Sequence, residues 1–217
     1  MNPETEYYLK ILSRNPKDLE SWYNLEYAVR RTEQSCDGVV RAIQHIIDLH
    51  PDSREAHFVQ ADLLIIYGHF KAGFEKLEER FMHSSYAFAF NLYRQGLKNR
   101  FTNKIKSSRG ITSKTWQGEN LAGKTLLIIS EGGLGDSIHF LRYIPILKQY
   151  GCTIFLRLQE PLHCLFRHLD AQIITKELLV PKLDFHVFMM SLPYCCKTEL
   201  SNIPPQVNIP CALSPVK

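Results

Sequence analysis

The run Lys124-Thr125-Leu126-Leu127-Ile128-Ile129 constrains this chain more than any other segment. It is short and almost continuously apolar, with no polar alternation. A strand of that kind is buried on both faces, which calls for a parallel sheet covered by helices. A glycine-rich turn follows, Ser130-Glu131-Gly132-Gly133-Leu134-Gly135-Asp136. Helical spacing then runs from about Asp136 to Gln149, with Ile138, Leu141, Ile144 and Leu147 on one side. Pro145 should kink that helix, and Gly151 should close it. Further strands are expected at Cys152–Leu158, Gln172–Thr175 and Asp184–Met189, with a helix at Pro161–Leu169. Strands alternating with helices predict a doubly wound parallel sheet with right-handed crossovers.

The first hundred residues obey a different period. Apolar residues recur at helical spacing, and two proline turns mark a repeat: Asn15-Pro16-Lys17-Asp18 and His50-Pro51-Asp52-Ser53 stand 35 residues apart. Similar helices follow each turn, Leu19–Leu25 and Arg54–Gln60, the second continuing through Ala61, Leu64, Gly68, Phe70, Gly73, Phe74 and Leu77. A helix–turn–helix period near 34 resembles the tetratricopeptide repeat. Glu26 departs from that pattern by standing where a small residue lets two helices approach, and one extra residue falls near Cys36. Two repeats are fewer than the roughly three such stacks need. We expect Glu4–Ser13 to cover one end and Ser85–Lys98 the other, or to dock on the neighbouring domain.

The fold class read from these patterns is α/β plus all-α. Short tetratricopeptide-like helical repeats occupy 1–100, a polar linker 101–115, and one Rossmann-like parallel-sheet domain 116–217. A net charge of +4 with dispersed basic residues gives no nucleic-acid footprint. The one basic cluster, Lys98, Arg100, Lys104, Lys106 and Arg109, reads as a solvated linker. The N-terminus has no signal-peptide pattern and no apolar run approaches the roughly 18 residues of a bilayer span, so a cytoplasmic protein is expected. The six cysteines, Cys36, Cys152, Cys164, Cys195, Cys196 and Cys211, show no CxxC pair and no zinc spacing. They read as reduced packing residues, and neither a metal centre nor a cofactor is expected.

The glycine loop lies where an open α/β sheet places its ligands. Gly132, Gly133 and Gly135 allow a tight turn, and the amides that open the helix offer a place for an anion. The spacing matches neither G-x-G-x-x-G nor a Walker loop. Asp136 fits two roles. It can interact with the helix dipole, worth about 0.3–1 kcal/mol, or it can deprotonate an acceptor hydroxyl at the edge of the sheet. The same dipole would weaken it as a base unless burial offsets it. Ser137 and His139 join the loop as acceptor-binding or phosphate-loop candidates; His139 projects from the same side as Asp136, and its other reading is a partly buried helical histidine with a structural role only.

The segments Trp116-Gln117-Gly118-Glu119-Asn120-Leu121-Ala122-Gly123-Lys124 and Gly133-Leu134-Gly135-Asp136-Ser137-Ile138-His139-Phe140-Leu141-Arg142-Tyr143-Ile144-Pro145 resemble tetratricopeptide proteins fused to a glycosyltransferase family 9-like domain. That family includes the ADP-heptose:lipopolysaccharide heptosyltransferases. Gly68–Phe74, Glu78-Glu79-Arg80, Asp184-Phe185-His186, Met190-Ser191-Leu192-Pro193, Ile203-Pro204 and Ile209-Pro210 extend the likeness. The resemblance implies the N-terminal, acceptor-side half of a GT-B fold, with Asp136 as general base and Gly133 and Gly135 shaping its loop. In the family a second Rossmann domain of roughly 150 residues, which binds the nucleotide-sugar donor, follows the Ile-Pro segment. The chain stops at Lys217, so the expectation is a truncated or partial transferase, inactive alone because half a cleft loses the proximity of donor and acceptor. Its expected partners are a protein bound by the repeats and a glycan or protein acceptor. A nucleotide-sugar is expected only if a second domain is supplied. The alternatives are a non-catalytic tetratricopeptide interaction or scaffold protein, a nucleotide-binding regulator using Gly132–Asp136, and the related architecture of the tetratricopeptide-bearing protein O-GlcNAc transferases.

Overall fold

A computed structural model describes residues 1–81, 113–174 and 183–209. The segment expected to cap the repeats at Ser85–Lys98, the basic cluster, all but the last residues of the expected linker, and Cys211 lie outside the described residues. The chain divides into two compact units, one holding Met1–Gln95 with Lys197–Ser201 and the other Gly96–Cys196 with Asn202–Lys217. No helix among the described residues is long and apolar enough to cross a membrane.

The first unit contains helices α1 (Pro3–Leu12), α2 (Leu19–Thr32), α3 (Asp37–Leu49), α4 (Arg54–Ile66) and α5 (Phe70–Leu77), with a 3₁₀ turn at Glu78–Phe81. The two proline turns act in the same way. Asp18 and Ser53, each two residues past its proline, cap α2 and α4 by accepting from the Ser21 and Ala56 amides. The Trp22 indole donates to the Pro16 carbonyl at 2.8 Å and so ties the first turn to the helix it starts. Leu9, Leu12, Trp22, Leu25, Val29, Val39, Ile43, Ile46, Val59 and Leu63 meet in one buried core. The Tyr67 hydroxyl lies 3.0 Å from the Val29 carbonyl and 2.9 Å from that of Glu33, joining the end of α4 to the end of α2.

Gly73 shows why a small residue is needed in α5. A Cβ there would meet Ile65 Cγ1 at 2.6 Å, the Ile65 amide nitrogen at 2.9 Å and the Ala61 carbonyl at 3.1 Å. Two of these three neighbours are backbone atoms of α4 and cannot rotate aside. Glu26, the exception in the repeat pattern, is accommodated half-buried between α2 and α4. Arg30 pairs with both the Glu26 and the Asp62 carboxylates. Burial, with the Asp62 carboxylate beside it, raises the Glu26 carboxyl to about 7, against the opposing pull of Arg30.

The second unit is a five-stranded sheet, all pairs parallel, in the order β1-β5-β2-β3-β4, where β1 is Lys114–Thr115, β2 Thr125–Ile129, β3 Thr153–Arg157, β4 Gln172–Ile173 and β5 Phe185–Phe188. This is a Rossmann-like arrangement. β2 is flanked on both sides, and its side chains divide between two cores. Leu126 and Ile128 join Ile154, Leu156, Val187, Leu141, Ile144 and Leu147 on one face; Leu127 joins Phe155, Ile174 and Leu183 on the other. The unbroken apolar run is thus accounted for by burial on both faces.

Three details differ from the sequence expectation. The helix expected at 136–149 is two helices, α6 (Leu134–Phe140) and α7 (Ile144–Gln149), separated by a 3₁₀ turn at Leu141–Tyr143. Pro145 lies in the first turn of α7, where its missing amide costs nothing, and the chain tightens just before it. At 161–169 a 3₁₀ turn, Glu160–Leu162, and successive turns replace the expected helix, while Leu162 and Phe166 are still buried against the sheet. Lys114-Thr115, assigned to the linker on polarity, pairs with Phe185 and His186 as an edge strand. His186 lies 3.0 Å from Ser113 Oγ and 3.3 Å from Thr115 Oγ1, a polar anchoring that needs no apolar signature.

Two outcomes follow. Gly73→Ala should lower the stability of the chain by about 1–3 kcal/mol, the usual cost of overpacking, measured by chemical denaturation; an unchanged midpoint would contradict the close approach of α4 and α5. Glu26 binds its proton more tightly when folded than at its ordinary value of 4.5. Its contribution is therefore fully present below pH 4.5 and lost as pH rises through about 7. Glu26→Gln should flatten that decline in a series of denaturation midpoints taken across the interval.

Candidate functional site

In an open parallel sheet, ligands bind beyond the carboxyl ends of the strands, where successive connections leave in opposite directions. Here that point lies between β2 and β5: the chain passes from β2 to β3 and β4 on one side, then returns to β5 on the other. The glycine loop begins at this point. Ser130 extends the β2 ladder by one bond, its amide donating to the Arg157 carbonyl at 2.9 Å. Glu131 then turns inward. It is 2% exposed, and its Oε1 accepts from the Met190 amide at 3.0 Å, just past the end of β5. A buried carboxylate thus bridges the two strands that flank the switch point.

Beyond Glu131 the three glycines differ in what they supply. Gly132 alone has a positive φ, +74°, and a Cβ on it would come within 2.5 Å of Asp136 Oδ2. Gly133 is the N-cap of α6, with extended backbone that any residue could adopt. Gly135 has no atom within 4 Å of where its Cβ would be, so it leaves the outer surface of the loop bare.

Asp136, in the first turn of α6, reaches back so that its Oδ2 accepts from the Gly133 amide at 2.7 Å. This is one half of a capping box; glycine has no side chain to complete the other. The carboxylate is exposed, and no hydrogen bond to Oδ1 is recorded among the described residues. One amide of the loop is therefore already taken, and the group taking it is itself negative. The loop is poorly suited to a phosphate and better suited to a neutral hydroxyl that can donate to Oδ1.

His139 is exposed one turn further on, its ring edge-on to Phe140 at 5.0 Å. Partial desolvation, and then the Arg142 guanidinium, hold its pKa below the ordinary 6.5, while Asp136 pulls the other way. The imidazole is consequently neutral at pH 7 and able to accept or donate a hydrogen bond. Ser137 is fully buried, and its hydroxyl donates to Gln159 Oε1 at 2.8 Å. It fastens the loop to the end of β3 and presents nothing to solvent. Gly132, Gly133, Gly135, Asp136 and His139 are thus exposed, with Ser137 behind them.

Sequence reasoning missed two residues of this arrangement, Glu131 and Gln159. Glu131 did carry a signal, being a charged residue set between an apolar strand and glycines. Gln159 carried none, because its role depends on β3 ending beside β2. The first unit has a separate groove of about 410 Å3 between α2, α4 and α5, whose walls include Tyr23, Glu26, Phe58, Arg54 and Lys76.

No family model, curated protein or solved structure matches this chain.

If Glu131 is the bridge between β2 and β5, Glu131→Ala should strand the Met190 amide at a cost of about 1–3 kcal/mol. Hydrogen exchange at that amide should accelerate well beyond that of the β2–β3 ladder; equal protection in both proteins would remove the bridge.

Proposed function

We propose that the sheet unit is the acceptor-side half of a sugar-transfer site of the GT-B type, similar to glycosyltransferase family 9, with Asp136 as the base that receives the acceptor hydroxyl proton. The observation that carries this reading is the Asp136 carboxylate itself. It is exposed at the carboxyl edge of the sheet, fixed through one oxygen by the Gly133 amide and, among the described residues, with no hydrogen bond at the other. A carboxylate so held can accept a hydrogen bond from a substrate hydroxyl without first giving up its own orientation. Its negative charge disfavours a phosphate at the same place, which separates this reading from a nucleotide-binding regulator. Neutral His139 supplies a second polar contact, and Gly135 leaves room for a bulky acceptor. The donor sugar nucleotide belongs to the facing Rossmann domain of the GT-B cleft, in the same protein or another chain.

A second reading has an observation of its own. The groove of the helical unit, with Tyr23 76% and Phe58 44% exposed, suits a non-catalytic, tetratricopeptide-like interaction module that binds a protein segment. The sheet unit would then serve as a scaffold.

The readings part on two measurements. With a donor-binding domain supplied, Asp136→Asn should reduce transfer about 10²–10⁴-fold, the usual worth of a positioned base; unchanged transfer removes Asp136 from that role. In calorimetry with ADP- and UDP-sugars the isolated chain should show no micromolar binding. Such binding, abolished by Gly135→Val, would favour the nucleotide regulator instead.

A further inference from the structure

The N-cap positions of α3 and α5 are spent unusually. Cys36 precedes α3 and His69 precedes α5, and neither side chain caps its own helix. They face each other instead. Cys36 Sγ, one carboxylate oxygen of Asp37 and one ring nitrogen of His69 all lie within 4.8 Å of one another. Cys36 is fully buried and is not in a disulfide. Asp37 and His69 cover it on the solvent side, their side chains 62% and 50% exposed and 3.8 Å apart, too far for a hydrogen bond. Ser35 Oγ donates to Asp37 Oδ2 at 2.9 Å, leaving Oδ1 turned towards His69.

A thiol, an imidazole and a carboxylate make a mixed donor set that suits a borderline-soft divalent ion. Ligands about 2.0–2.3 Å from a tetrahedral zinc stand roughly 3.5 Å from one another, so on the order of 1 Å of movement closes the cluster. The exposed side chains of Asp37 and His69 can supply that movement without disturbing the core. The Ser35 hydroxyl would act as the outer hydrogen-bond partner that orients a ligating carboxylate.

We infer that Cys36, Asp37 and His69 form a three-ligand site for a divalent transition metal, zinc by its donor set, with the fourth position open to water. The metal takes the place of the thiol proton, which leaves to solvent. The site fastens the α2–α3 turn to the α4–α5 turn, so its binding energy adds to the folding energy of a short helical array. It does not depend on the role of Asp136, which lies in the other unit.

Cobalt tests this directly. One equivalent of Co²⁺, added to the metal-free, reduced full-length chain, should give a thiolate-to-cobalt charge-transfer band in the near ultraviolet and tetrahedral bands in the visible. Zn²⁺ should displace both. Cys36→Ala should abolish the charge-transfer band, whereas Cys164→Ser, which removes an exposed thiol elsewhere, should keep it. His69→Ala changes a half-exposed side chain and should weaken Zn²⁺ competition at least about tenfold, with helix content by circular dichroism unchanged. No charge-transfer band in the unaltered chain, or a band that survives Cys36→Ala, or undiminished Zn²⁺ competition in His69→Ala, overturns the site.

Discussion

β2 is hydrogen-bonded in parallel on both sides and packed on both faces, and the rest of the sheet unit depends on that enclosure. Its five residues, Thr125–Ile129, pair in register with β3, Leu126–Ile129 also pair with β5, and alternate side chains enter two separate cores. A strand with neighbours on both edges and helices or loops above and below can emerge only at its ends. Because the chain crosses to opposite sides after β2 and before β5, its carboxyl end lies at a crevice. The position of the candidate site is therefore a consequence of strand order.

Polar groups at the two ends of β2 then do different work. At the amino end Asp184 Oδ2 accepts from both the amide and the hydroxyl of Thr125, each at 2.9 Å, and joins the starts of β2 and β5. At the carboxyl end the buried Glu131 joins their far ends through the Met190 amide. The glycine loop hangs from this rigid frame. Ser137 and Gln159 brace it from behind, and Asp136 is held in front by a backbone amide. The Glu131 and Ser137 braces each satisfy a polar group that burial would otherwise penalise. The Asp136 carboxylate is left towards solvent, with no hydrogen bond to its second oxygen among the described residues.

The helical unit reaches order by another route. Proline turns with Asp18 and Ser53 caps start α2 and α4 at the same spacing, and Gly73 lets α5 close on α4. Glu26 interrupts the pattern of small residues and is tolerated because Arg30 and Asp62 surround it. That arrangement carries a pH-dependent cost that a small apolar residue would not. The turns at Cys36 and His69 bring together three metal-type donors that belong to different hairpins.

Much of the fold was legible from local patterns. Unbroken apolarity in Thr125–Ile129 implied a doubly buried parallel strand, helical spacing separated the first unit from the second, and Pro145 marked an interruption in its helix. These features depend on hydrophobic burial and backbone dihedrals, which neighbouring residues largely decide. Asp136 and its glycines were legible for the same reason, since a strand, a turn and a helix start are contiguous in sequence. Tertiary structure decided the remainder. It assigned Lys114-Thr115 to the sheet, turned Ser137 inward, made Glu131 a bridge, and placed His69 beside Cys36. Each of these depends on a partner distant in the chain, and a single hydrogen bond or donor contact leaves no periodic mark from which that partner could be read.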